Sequence, residues 1–279
     1  MLEMLITVKH SQASVAERPV ALPPVSEGPD MYLSAASALQ TFVHRLNSLS
    51  PLSRGDTAAL LGMSAKAVRV RANTDIVFPG TPFEHAVLVA SGLVGRYLPL
   101  ANGARQITAI HVPGDLADLH RVATPKAGSA LQALTNSSIV LVSGAELRTI
   151  ALASPAVTQA FWVYSAVDAA VLSRWALNLG RREARVSMAH FLCEIGLRME
   201  GCGQGTRSDF LLELTQSQIG DALGLTSVHV NRTLKALKEL GVVEVEGRIF
   251  RVPDWPRLAA IAEFDPDYLQ IVPEADQAA

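Results

Sequence analysis

Cysteine is nearly absent: Cys193 and Cys202 are the only two among 279 residues. That is too few for a disulfide framework or for thiolate ligation of an iron–sulfur cluster, so both are expected to be reduced structural thiols. Basic residues are not in excess either. With 24 Lys and Arg against 26 Asp and Glu, the formal net charge is -2, so any attraction to nucleic acid must come from local patches. No apolar run reaches the ~18 residues that would span a bilayer, and the N-terminus lacks the basic stretch and apolar core of a secretory signal. The expectation is a cytoplasmic chain with no membrane partner. No serine, cysteine or lysine sits in a recognised nucleophile motif, so no catalytic residue is assigned.

What the chain does have is apolar content, 49% of its residues, and length enough for about two domains. Residues 1–30 mix Pro19, Pro23, Pro24, Pro29 and Gly28 without periodicity, the composition of a flexible arm. Residues 31–49 carry Leu39, Phe42, Val43 and Leu46 at helical spacing, and a second short helix is expected near 54–62. From 67 to 143 the pattern shortens to alternating strands, AVRVRA, HAVLVASGLVGRYLPL, RQITAIHV and SIVLVS, broken by Gly80, Gly92, Gly103 and Gly114. Short strands with glycine turns indicate a sandwich or closed roll.

Helical periodicity returns from Ala145 to Met199, with few breakers after Pro155. Val157, Phe161, Tyr164, Val171, Trp175 and Leu179 form an apolar seam close to a heptad pattern, interrupted by Asp168. Such a seam could be ordinary core or the face of a parallel dimer; the dimer is favoured, with a basic stretch, Arg174, Arg181, Arg182 and Arg185, at its far end.

The segment TQSQIGDALGLTSVHVNRTLKALKELG, from Thr215 to Gly241, carries the clearest functional signal. Thr215 and Gln218 have capping-box spacing, Gly224 can end a helix, and Thr226 can cap the next one. Val230, Leu234 and Leu237 recur at core spacing, which leaves Ser227, Val228, His229, Asn231, Arg232 and Lys235 outside. Arg232 can donate two bonds to guanine, Asn231 or His229 can meet base edges, and Val228 can touch a thymine methyl. Lys235 and Lys238 suit phosphates, and Thr215, Gln216, Ser217 and Thr226 at the two helix starts are also assigned to DNA binding. VVEVEGRIFRV then alternates around Glu246 and Gly247 as a hairpin wing. This is the pattern of a winged helix-turn-helix that binds double-stranded DNA, commonly as a twofold pair.

Roll, long helix and winged module in that order resemble the superfamily of the cyclic-AMP receptor protein and the fumarate-nitrate reductase regulator, the Crp/Fnr regulators. The resemblance covers roughly residues 35–270 and rests on SGLVGRYLPL, the turn at Asn102 and Gly103, PGDLADL at 113–119, QIGDALGLTSVHVNRTLKAL and the tail DWPRLAAIAEFDPDYL, similar to alphaproteobacterial members. It implies an α+β chain with an N-terminal double-stranded β-helix (a jelly roll like that of cyclic-nucleotide-binding domains) over 31–150, a dimerisation helix over 151–182, a winged helix-turn-helix over 183–270 and a flexible tail over 271–279. It also implies a homodimeric transcription regulator on a palindromic operator, with RNA polymerase as partner if it activates.

Nucleotide-binding members hold the ribose with a Gly-Glu motif and the cyclic phosphate with an arginine. Here the first motif reads Gly114, Asp115 and Leu116, and the second region, PKAGSALQAL, offers Lys126, Gly128 and Ser129 with no arginine. Cyclic nucleotide is therefore not expected, no cofactor is assigned, and an effector of unknown chemistry stays open. His85, His111 and His120 on the roll raise the alternative of a metal or haem sensor, or a cupin-like metal enzyme, yet no His-x-His spacing supports a metal site.

Overall fold

The computed structural model describes residues 34–82, 84–124 and 126–271; the arm expected over 1–30 and the tail after 271 lie outside them. Ser34 caps α1 (Ala35–Leu49) by accepting from Ser37 N at 3.1 Å, and Leu39, Phe42, Val43 and Leu46 turn inward. After α2 (Arg54–Leu61) the chain enters the roll through β1 (Ala65–Val70), β2 (Thr74–Val77), β3 (His85–Ser91), β4 (Val94–Pro99), β5 (Arg105–His111), β6 (Ala130–Ala133) and β7 (Ser137–Ser143). These pair in two antiparallel sheets, ordered β1-β7-β3 and β2-β6-β4-β5, which enclose Val68, Val87, Val89, Leu131 and Ile139. The jelly-roll expectation is met, with β2 and β6 as additional strands. β6 is buried at all four residues, so it shows none of the alternation that marks a half-exposed strand.

Ser143 caps α3 (Gly144–Ala153), and Ser154 both ends it and caps α4 (Pro155–Gly180), which leaves at 118° with proline in its first turn. α5 (Ala184–Gly201) follows. The C-terminal module then comprises β8 (Gly205–Thr206), β9 (Asp209–Leu211), α6 (Gln216–Leu223), α7 (Ser227–Glu239), β10 (Glu244–Glu246), β11 (Ile249–Arg251) and α8 (Trp255–Ala262). Its strands form one sheet, β10-β11-β9-β8, and a final 3-10 turn spans Pro266–Leu269. Among the described residues no single helix is long and apolar enough to cross a membrane.

The seam on α4 is used inside the chain, which corrects its assignment to a dimer interface. Val157, Phe161 and Tyr164 pack with α1, β3 and β7, and the Tyr164 ring meets Phe42 edge-on at 6.3 Å. Val171 and Trp175 pack on α5, with Trp175 against Phe191 at 6.1 Å. Asp168 is held by both Nη atoms of Arg96 at 2.9 Å, and Leu179 lies half-exposed near the turn after α6. Periodicity identifies an apolar face; it does not say which surface covers it.

α5 lies between the roll, α4 and α8, with every residue from Ser187 to Met199 buried, ionisable ones included. Arg198 Nη2 donates to Asp115 of the roll at 2.6 Å, and its Nη1 meets Glu194 at 3.5 Å. Glu194 also accepts from Trp175 Nε1 and from Tyr268 Oη at 2.7 Å. Burial pushes Glu194 up, against the pull of Arg198, whereas at Asp115 the guanidiniums of Arg198 and Arg45 overcome burial and hold the carboxyl below its ordinary range. His111 lies 3.9 Å from Asp115, and its Nε2 has no hydrogen-bond partner among the described residues.

Burial, with Arg96 nearby, pushes His111 down to about 4, and burial with Arg182 and Arg174 does the same to His190. An imidazole whose folded pKa lies below its unfolded value of 6.5 gains a proton on unfolding. Stability is therefore expected to be full above pH 6.5 and to fall progressively towards pH 4, by about 3 kcal/mol from His111 alone. Urea unfolding across that range measures the loss, and NMR titration assigns it; a His111 imidazole that titrates near 6.5 in the folded protein contradicts this account.

Candidate nucleic-acid interface

Each end of the helix-turn-helix is set by a local hydrogen bond that the sequence specifies. Thr215 Oγ1 accepts from Gln218 N at 3.2 Å and Gln218 Oε1 accepts from Thr215 N at 2.8 Å, a complete capping box. Gly224 ends α6 in the left-handed region at φ 66°, a conformation that a side chain disfavours. Thr226 caps α7 by accepting from His229 N at 3.3 Å. Gly247, at φ 61°, forms the two-residue turn between β10 and β11, so the wing is the hairpin expected.

α7 is anchored through Val230, Leu234 and Leu237, all buried, and Thr233 joins them by donating to the His229 carbonyl. The opposite face stands free. Ser227, Asn231, Arg232 and Lys235 are exposed, His229 is half-buried, and Val228 is 80% exposed. Thr215, Gln216, Ser217 and Thr226 are exposed at the two helix starts. The residues named from sequence for base and phosphate contact are thus exposed, with His229 half-buried, and Lys235 also pairs with Glu239 at 3.7 Å.

Sequence reasoning missed how this module is held against the roll. Gln218 Nε2 donates to the Leu134 carbonyl at 2.8 Å and to Asn73 Oδ1 at 3.2 Å, in addition to closing the capping box. Arg105 Nε binds Asp221 at 2.7 Å, and Gln106 Nε2 donates to the carbonyls of Asp221 and Ala222. α6 is therefore docked on β5 and the turn after β6 by bonds between residues more than 80 positions apart. No local pattern in Gln218 or Asp221 carried that signal.

The residues named for a ligand pocket do not converge. Asp115 turns to α5, Leu116 N donates to Tyr164 Oη at 2.9 Å, and Gly114 backs onto Thr41. Lys126 and Gly128 are exposed and Ser129 is half-buried. Gly-Asp is a backbone turn here, with Gly114 at φ 90°, and the Asp115 carboxylate is engaged by the buried Arg198. Asp118, three residues later, accepts from Val87 N and from Arg121 Nη1, both at 2.9 Å, inside the roll. Asp115 thus serves α5, while Asp118 and Arg121 serve the roll. His85 and His120 are exposed and His111 is buried, and among the described residues no group of three His, Cys, Asp or Glu could hold a metal.

Gly220 is the tightest point of the helix-turn-helix, because a Cβ there would press into the Leu225 carbonyl. Gly220→Ala is expected to cost about 1–3 kcal/mol, read as a lower midpoint in urea unfolding. An unchanged midpoint would mean that the turn yields and does not constrain the angle between α6 and α7.

The profile of the Crp-like helix-turn-helix domain matches residues 187–261. The anaerobic regulatory protein of Haemophilus influenzae is 27% identical over 166 residues, covering 60% of this chain and 64% of the relative. The regulatory protein HlyX of Actinobacillus pleuropneumoniae is 27% identical over 180 residues, 64% of this chain and 75% of its own length. Among solved structures, FixK2 from Bradyrhizobium japonicum superposes with a TM-score of 0.63 at 28% identity, over 71% of this chain and 98% of that one. CooA from Carboxydothermus hydrogenoformans, at 22% identity and a TM-score of 0.56 over 71% of this chain and 88% of that one, shares the fold. These relatives are regulators, which gives the cupin-like enzyme reading no support. A jelly roll, a long helix and a winged helix-turn-helix in this order, with a Crp-like helix-turn-helix domain over residues 187–261 and these relatives, make the chain similar to the Crp/Fnr transcriptional regulators and support its place among them.

Proposed function

We propose that the protein regulates transcription as a homodimer on a palindromic operator, with the start of α7 in the major groove of each half-site. The exposure of Val228 carries this reading: an apolar side chain left 80% bare beside Arg232 and Asn231, on a helix well anchored behind, suits a thymine methyl. Arg232 then takes a guanine edge, Asn231 and His229 contact neighbouring edges, and Ser227 stands at the groove's rim. Lys235, Thr215, Gln216, Ser217 and Thr226 meet phosphates and set the register. RNA polymerase is the further partner if the operator position makes it an activator, and the cytoplasm is the compartment where such a reader meets its DNA.

The dimer face we assign is the side of α4 opposite the buried seam. Trp162, Ala166, Ala169, Ser173, Ala176 and Gly180 recur at three- and four-residue spacing, and all are exposed. Five small residues would let a second α4 approach closely, while Trp162, 68% exposed, would cover one end. No cofactor is assigned. The exposed Lys126 and Gly128, without an arginine, do not supply the fork that a cyclic phosphate needs.

Arg232→Ala is expected to weaken operator binding by about 1–3 kcal/mol and to relax preference at one base position. Equal losses on operator and unrelated duplexes would remove Arg232 from the groove. The double variant Trp162→Glu with Ala169→Glu should sediment as a folded monomer, whereas Phe161→Glu should unfold the chain. Dimers that persist in the first variant would place the interface elsewhere.

A further inference from the structure

We infer that Arg181 and Arg185, at the hinge between α4 and α5, grip the DNA backbone beside the groove that α7 reads, and that the wing does not. The inference rests on α7 as the reading helix. The cations of the C-terminal half divide by the company they keep. Both wing arginines are already matched by carboxylates: Arg248 binds Glu213 at 2.8 Å, and Arg251 lies between Glu246 at 2.8 Å and Asp209 at 3.4 Å. Arg207 is held by Glu200, and Arg182 by Asn178 at 2.9 Å and Glu263 at 3.6 Å. Arg174 lies over the Tyr268 ring, 5.2 Å from its centroid. Arg181 and Arg185 are exposed, and among the described residues neither has an ion pair or side-chain hydrogen bond.

Their position supplies the second half of the argument. Leu179, two residues before Arg181, abuts the turn of the helix-turn-helix: its Cδ2 would lie 2.9 Å from a Cβ on Gly224. That turn leads directly to Thr226, the cap of α7. The hinge is therefore packed against the end of the reader that enters the groove, and the phosphates flanking that groove are its neighbours. The first turn of α5 receives no side-chain cap from Glu183, so the hinge offers backbone N–H donors as well as two guanidiniums suited to phosphate. Arg257, also exposed and without a side-chain partner, sits instead on α8, whose main contact is α5. Glu183 is the one exposed carboxylate within the hinge and opposes the grip.

The test is a salt titration of DNA binding by the full chain, on operator and unrelated duplexes. Each lost phosphate contact should lower the slope of log K against log salt by about 0.9, so Arg181→Ala with Arg185→Ala should lower it by roughly 2 on both duplexes and keep operator preference. Arg248→Ala with Arg251→Ala should leave the slope unchanged, and Glu183→Gln should tighten binding to both duplexes. Lysine at 181 and 185 should restore the slope, which a folding defect would not allow. A hinge variant with the parental slope, or a wing variant that loses it instead, overturns the inference. Arg232→Ala in the same assay separates the two readings: if it keeps full operator preference, the assignment of α7 fails; if it loses preference while the hinge variant keeps its slope, only the hinge fails.

Discussion

Arg198 is a buried cation to which distant parts of the chain are tied. A guanidinium taken out of water is tolerated only when its charge is matched and its donors are satisfied, and here the match comes from Asp115 on the roll and Glu194 on its own helix. Glu194 is in turn satisfied by Trp175 from α4 and Tyr268 from beyond α8. Displacing the roll, the long helix or the C-terminal turn would strand a buried charge. The cluster therefore does less to raise stability, which well-packed apolar residues could do as well, than to fix the relative positions of these parts.

The placement of the reader follows from that fixed frame. α5 carries the winged module on one side and the ion cluster on another, and α6 is tied directly to the roll through Gln218, Arg105 and Gln106. The apolar core is continuous across the same junction: Ile107 and Ile110 of β5 belong to one cluster with Phe191, Ile219 and Leu223. Roll and reader are thus joined by packing as well as by polar bonds, so a change in the roll's outer sheet has a physical path to α6. The exposed face of α7 stays clear of all these contacts and remains open to a groove.

Legibility in the sequence followed the range of the interaction. Thr215, Gln218, Gly224, Thr226 and Gly247 act within four residues of themselves, and the structure has each cap and turn where the spacing places it. β6 escaped because burial on both faces removes alternation, and Asp115 was misread because its partner lies 83 positions away. The α4 seam shows the same limit from the other side. Val157, Phe161, Tyr164, Val171 and Trp175 are as apolar and as regularly spaced as an interface would be, yet α1, the roll and α5 cover them.

The sequence by itself determined the caps and turn of the helix-turn-helix, which faces are apolar, and that one helix carries Val228, Asn231 and Arg232 away from its apolar face, because caps, turns and periodicity are properties of neighbouring residues. Only the tertiary structure decided which surface covers each apolar face, where Asp115 and Gln218 spend their hydrogen bonds, and which arginines are left unmatched. Those outcomes depend on groups brought together from 80 or more positions apart, and charge pairing and burial belong to the assembled fold rather than to any segment of it.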